Sequence, residues 1–126
     1  VRLLLDTHVV LWQLSGARPL GVRARETIAA AAELAFSVVS FAEIGVKAAI
    51  GKLTVPDDLH ARIAGTGVRF LGLSADHGLA VAGLPLHHRD PFDRLLVAQA
   101  RQEGFTLVTA DARIRAYDVA VLDALA

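Results

Sequence analysis

The sequence predicts an α/β three-layer sandwich, with a mainly parallel central sheet flanked by helices. Three observations predict it. Short apolar runs alternate with helix-like stretches along the whole chain, the pattern of strands joined by crossover helices. The runs are continuously apolar instead of alternating with polar residues, as strands covered on both faces are. Between them stand helix signals, among them Asp90-Pro91 and the glycines at 16, 51 and 104.

The elements follow in order. Arg2–Leu5 is a short strand ending at Asp6, and a short helix follows through Val9, Val10, Leu11, Trp12 and Leu14 until Ser15-Gly16. A helix is expected over 22–33 and a strand over 34–39. The next helix, 40–50, opens with Ser-Phe-Ala-Glu, which matches a capping box with Ser40 at N-cap and Glu43 at N3. A helix over 57–64, a strand over 68–73 and a helix over 74–83 capped by Ser74 come next. After a loop at 84–89, Asp90 caps and Pro91 begins a helix that Gly104 stops. Asp93 falls in its first turn and shares a face with Leu96, Val97 and Ala100. The chain closes with a strand at 105–108, one or two helical turns at 111–117 and a strand at 119–122.

The 126 residues fit one domain spanning 1–126, and 54% hydrophobic content supplies a core. There is no cysteine, which excludes disulfides, thiolate zinc sites and cysteine nucleophiles. That fits a reducing compartment. No apolar run reaches the roughly 18 residues of a membrane span, and no secretory signal stands at the start, so a cytoplasmic location is expected. Net charge is zero, which argues against a generally basic nucleic-acid binder and leaves room for a local patch.

Four acids stand at element boundaries: Asp6 after the first strand, Glu43 early in the helix after the second, Asp93 at the head of its helix, and Asp111 after the fourth strand. Singly, each reads as an ordinary helix-terminal acid. Together they belong to the carboxyl edge of a parallel sheet, where such folds bind ligands. Carboxylates brought together raise one another's pKa unless a cation neutralises them. Oxygen ligands without cysteine favour Mg²⁺ or Mn²⁺, and the matching chemistry is phosphoryl hydrolysis.

Four segments carry a family resemblance: LLDTHVVLW at 4–12, SVVSFAEIGVKAAIGKL at 37–53, HHRDPFDRLLVAQA at 87–100 and LVTADARI at 107–114. In this order and spacing the chain resembles the PIN-domain ribonucleases, and among them the VapC toxins of VapBC toxin–antitoxin pairs. The resemblance implies a PIN-like fold and a metal-dependent endoribonuclease. Asp6 and Asp93 would be its principal Mg²⁺ (or Mn²⁺) ligands, with Glu43 completing the pocket and Asp111 as fourth acid. It implies an RNA substrate, tRNA or rRNA, a VapB-type antitoxin and a homodimer. Thr109, or Thr7, matches the family's weaker Thr/Ser position.

Arg89, Arg94 and Lys47 are further candidate substrate contacts. Arg94 could instead pair with Asp90, and Lys47 with Glu43, at helical spacing. His8 packs beside Asp6 or touches phosphate. His87 and His88 are solvated loop residues or RNA contacts. Trp12 and Phe92 suit core or dimer contacts. A rival class is a non-catalytic module on the same scaffold that acts through antitoxin or RNA contacts alone; lack of Mn²⁺ uptake would favour it.

Overall fold

A computed structural model describes residues 1–126. Five strands form one sheet: β1 (Arg2–Leu5), β2 (Glu33–Ser37), β3 (Arg69–Leu71), β4 (Thr106–Thr109) and β5 (Val121–Asp123). Their order is β3-β2-β1-β4-β5 and every pairing is parallel. The helices are α1 (Thr7–Ser15), α2 (Val22–Ala30), α3 (Val38–Ala49), α4 (Leu59–Ala64), α5 (Ala75–Ala80) and α6 (Pro91–Glu103). Short 3₁₀ turns lie at Val81–Gly83 and Ile114–Ala116. No helix is long and apolar enough to cross a membrane.

The sheet is buried on both faces, which is why its strands read as continuous apolar runs. Side chains alternate across the pleat. Leu3 and Leu5 join Val9, Val10, Phe36, Ile44 and Ile63 on one side. Leu4 joins Ala35, Leu96, Val97, Leu107 and Ile114 on the other. Leu3, Leu4 and Leu5 are each at most 2% exposed, and burying such a side chain stabilises the fold by roughly 1.5–3 kcal/mol.

The chain runs from β1 outward through β2 to β3, then returns to lay β4 against the other side of β1. The order therefore reverses between β1 and β4, and the carboxyl ends of these two strands border the crevice where such sheets bind ligands. Register brings Leu5 beside Val108, so Asp6 emerges next to Thr109.

Two boundaries correct the sequence reading. The stretch expected as helix 22–33 ends at Ala30, and Glu33 opens β2. Glu33 lies in the strand between Arg2 and Arg69 and accepts from both guanidinium groups, at 2.7 and 2.6 Å. The second correction concerns α3. Its N-cap is Ser37, whose Oγ accepts the amide of Val39, and Ser40 is inside the helix. No capping box forms between Ser40 and Glu43. Glu43 thus sits in the second turn, deeper than a first-turn acid. By contrast, α6 begins as its sequence predicts. Asp90 Oδ1 accepts the amides of Phe92 and Asp93, at 2.8 and 3.2 Å, and Pro91 is the first helical residue. Gly104 ends the helix in the left-handed conformation, φ 73°, where a side chain would be strained.

Candidate metal centre at the sheet's carboxyl edge

Asp6 follows β1 directly, and its amide donates to Val108 O across the switch point. Its Oδ2 accepts the hydroxyl of Thr109 at 2.7 Å, while Oδ1 is buried without a hydrogen-bond partner. Burial pushes this carboxyl above the ordinary Asp range. The Thr109 hydroxyl and His8 pull against that shift, and the charge of Glu43 adds to it.

Glu43 is 1% exposed. Its Oε2 accepts from Lys47 Nζ one turn along α3, and its Oε1 has no partner. Burial works against the Lys47 ammonium, but its bond to Glu43 and the charges of Glu43, Asp90 and Asp93 hold it above its usual value.

Asp93 enters from the first turn of α6. Burial pushes its carboxyl up to about 8, with the charges of Asp6, Asp90, Glu43 and Asp111 adding to the effect. Asp111 follows β4. Partial burial acts upward on it, but bonds from the Arg113 side chain and amide, and from His88, outweigh this and hold it at about 2. Asp93 and Asp111 meet at His88, whose Nε2 lies 2.9 Å from Asp93 Oδ2 and 2.8 Å from Asp111 Oδ2.

Asp6, Asp93 and Asp111 line one cavity of about 360 Å³ together with His8, Trp12, Arg18, Lys47, His88, Asp90 and Arg113. Glu43 is not among the lining residues and reaches the cavity only through its bond to Lys47. The residues fit a divalent cation. Two carboxylate oxygens are buried without partners, and burial, with the charges of neighbouring acids, holds Asp93 protonated near neutral pH. The cluster also offers oxygens where a hard ion takes its ligands. His88, Asp93 and Asp111 each present a ligand-type atom, all within 4.8 Å of one another.

The other candidates divide. Lys47 lines the cavity, whereas Arg89 is exposed and outside its lining. Thr109 is buried between Asp6 and the Asp111 amide, which donates to its Oγ1 at 3.1 Å. Its hydroxyl thus links two of the acidic positions. Thr7 is fully buried and donates to Ser40 Oγ at 2.6 Å. Arg94 is placed differently. It is buried and donates to the carbonyls of Val81, Leu84, Pro85 and His88 and to the Tyr117 hydroxyl. It neither pairs with Asp90 nor reaches the cavity.

The chain matches the family model described as PIN domain over residues 3–120. This chain belongs to the PIN-domain family. Ribonuclease VapC22 of Mycobacterium tuberculosis is 32% identical over 117 residues, covering 90% of each chain. The fold of this PIN domain also matches VapBC2 of Rickettsia felis, solved bound to a promoter DNA fragment, with TM-score 0.72, 15% identity and coverage of 97% and 98% of the two chains. VapBC of Salmonella typhimurium, also solved with DNA, gives TM-score 0.69 at 16% identity, covering 98% of both. The PIN-like sandwich expected from sequence is therefore the fold.

Sequence reasoning left His88 undecided and overlooked Arg18 and Arg113. Arg18 lies over the Trp12 ring, 5.0 Å from its centroid. The sequence signal for Arg113 was its position two residues after Asp111. For His88 it was its position two residues ahead of an N-cap, within reach of that residue's amide.

Proposed function

We propose that this PIN domain is a Mg²⁺- or Mn²⁺-dependent endoribonuclease, the toxin of a toxin–antitoxin pair. The observation that carries the reading is the pair of buried, unpartnered oxygens, Asp6 Oδ1 and Glu43 Oε1, beside an Asp93 that burial and neighbouring carboxylates keep protonated. A cation relieves all three. The name of the 32% identical relative supports the substrate class.

Asp6 and Asp93 would hold the ion as principal ligands, with Glu43 completing the pocket from α3 and Asp111 as the fourth acid. Bound there, a divalent ion polarises the phosphodiester and makes a water molecule more acidic. Lys47, Arg18 and Arg113 stand around the cavity and meet the phosphates flanking the cleaved bond, with exposed Arg89 beyond them. Thr109 fixes the rotamer of Asp6 through its 2.7 Å bond, so this ligand needs no reorientation.

A second cavity of about 300 Å³ supports an antitoxin partner. It is lined by Leu11, Leu14, Leu53, Val55 and Leu59, and it shares His8 and Trp12 with the acidic cavity. An apolar VapB segment seated there would pass Trp12 into the site and exclude RNA. Leu79 and Leu86 are each at least 75% exposed and supply apolar surface for a second copy of the chain. The RNA is a tRNA or rRNA of the cytoplasm.

Induced expression in bacteria tests the reading. The wild type should arrest growth and the Asp93→Asn variant, made to the same level, should not. Equal growth with both, at matched levels of folded protein, would count against a toxin that acts through this site.

A further inference from the structure

We infer that His88 is a positioning residue of this centre. Its Nε2–H, directed by the backbone amide of Asp90, ties Asp93 to Asp111, and the ring does not itself ligate the ion. The inference deepens the nuclease reading and rests on it.

His88 is 5% exposed although His87 and Arg89 on either side are open to solvent. Its backbone is clamped. The amide donates to the Tyr117 hydroxyl at 3.0 Å, and the same hydroxyl donates back to the His88 carbonyl at 3.3 Å. Arg94 donates to that hydroxyl at 3.1 Å and to the carbonyls of the preceding loop. A buried guanidinium and a buried phenol thus fix where the ring stands.

The ring's tautomer follows from its bonds. Nδ1 accepts the Asp90 N–H at 3.1 Å, so Nδ1 is an acceptor and the proton is on Nε2. That one N–H faces two carboxylate oxygens, Asp111 Oδ2 at 2.8 Å and Asp93 Oδ2 at 2.9 Å. One nitrogen lone pair is engaged by the Asp90 amide and the other nitrogen carries hydrogen. Neither is available to a metal.

Asp90 therefore serves both halves of the arrangement. Its side chain caps α6 at the Phe92 and Asp93 amides, and its own amide sets the tautomer of His88. The helix start that places Asp93 also aims the His88 N–H that bonds Asp111 and stands 2.9 Å from Asp93. Groups that orient ligands in this way are worth about 10–100-fold in metal affinity.

The test combines calorimetry of Mn²⁺ binding by the full chain with long-range ¹H–¹⁵N spectra of its imidazoles, recorded without metal and with Mg²⁺. The spectra should show His88 protonated on Nε2 in both conditions. His88→Ala should bind Mn²⁺ about 10–100-fold more weakly. His88→Gln, whose terminal amide places an N–H near the same point, should recover most of that loss. If the Ala variant fails to fold, the Gln variant and the spectra still decide. A proton on Nδ1, or an Nε2 resonance that moves to a metal-bound position with Mg²⁺, would overturn the inference. Wild-type affinity in a folded His88→Ala would also overturn it, and would leave the nuclease reading intact. Absence of Mn²⁺ uptake by the wild type would overturn the centre on which both depend.

Discussion

Asp93 holds a proton that the centre has to release before it can take up a cation. Its carboxyl is pushed to about 8 by burial and by the acids around it. Its folded value thus lies above the ordinary carboxylate value of 3.8, and the folded chain binds this proton more tightly than the unfolded one. The resulting stability is complete below about pH 4 and is lost as pH rises toward about 8. Asp111, held at about 2, acts in the opposite sense, and its contribution is lost only as pH falls from about 4 toward 2. Metal-free protein should therefore melt at lower temperature at pH 8 than at pH 6, and saturating Mg²⁺ should remove the difference. Mn²⁺ affinity should rise about tenfold per pH unit from 6 to 8 as the proton is displaced. Calorimetry in two buffers of different ionisation enthalpy measures that release, and a pH-independent affinity would contradict it. Asp6, Asp93 and Asp111 were legible in the sequence because each stands where a strand ends or a helix begins, whereas Glu43 lies in the second turn of α3. The roles of Thr7, Thr109 and Arg94 were not. Spacing places a residue on an element, but which neighbour its side chain bonds depends on packing from distant parts of the chain. Thr109 and Asp6, for example, meet across 103 residues.

At the scale of elements, α6 and the loop before it act as one unit. Asp90 and Pro91 begin the helix as their residue types dictate. The loop ahead of it has little regular structure, so its carbonyls need a donor, and Arg94 supplies it from the first turns of α6. Arg94→Lys should therefore destabilise the chain by about 2–3 kcal/mol in urea unfolding, because an ammonium on a flexible stem cannot replace a planar fork serving several acceptors. A loss near zero would mean that the loop holds without it. The same variant should lower Mn²⁺ affinity through the loop, since His88 moves with its carbonyl. The start of α3 marks the limit of sequence patterns. Ser-x-x-Glu at 40–43 has the letters of a capping box, but Ser37 begins the helix three residues earlier. Ser37 holds the Val39 amide and donates to the buried Gln99 Oε1 at 2.6 Å. Tertiary contact with α6 selected one serine over another, and a local motif does not contain that information.

For the whole molecule, the sheet order decides what the acids can do. The alternation of runs made a parallel α/β sandwich legible, because strands buried on both faces lack a polar alternate. The order β3-β2-β1-β4-β5 was not legible, since an apolar run carries no record of its neighbour. Yet that order places Asp6 beside Thr109 and Asp111 at the reversal between β1 and β4. It also lets α3 and α6 bring Glu43 and Asp93 toward that edge from flanking layers. The apolar cavity that shares Trp12 with the acidic one is likewise assembled from α1, α4 and the segment before α4, and no single stretch announces it. Cleavage of total cellular RNA by the purified chain, with Mg²⁺, Mn²⁺ or EDTA, beside Asp93→Asn, is the decisive experiment. Discrete fragments from the wild type with either metal, none with EDTA and none from the folded variant are the predicted result. Cleavage that persists in EDTA, or at full rate in Asp93→Asn, would contradict it.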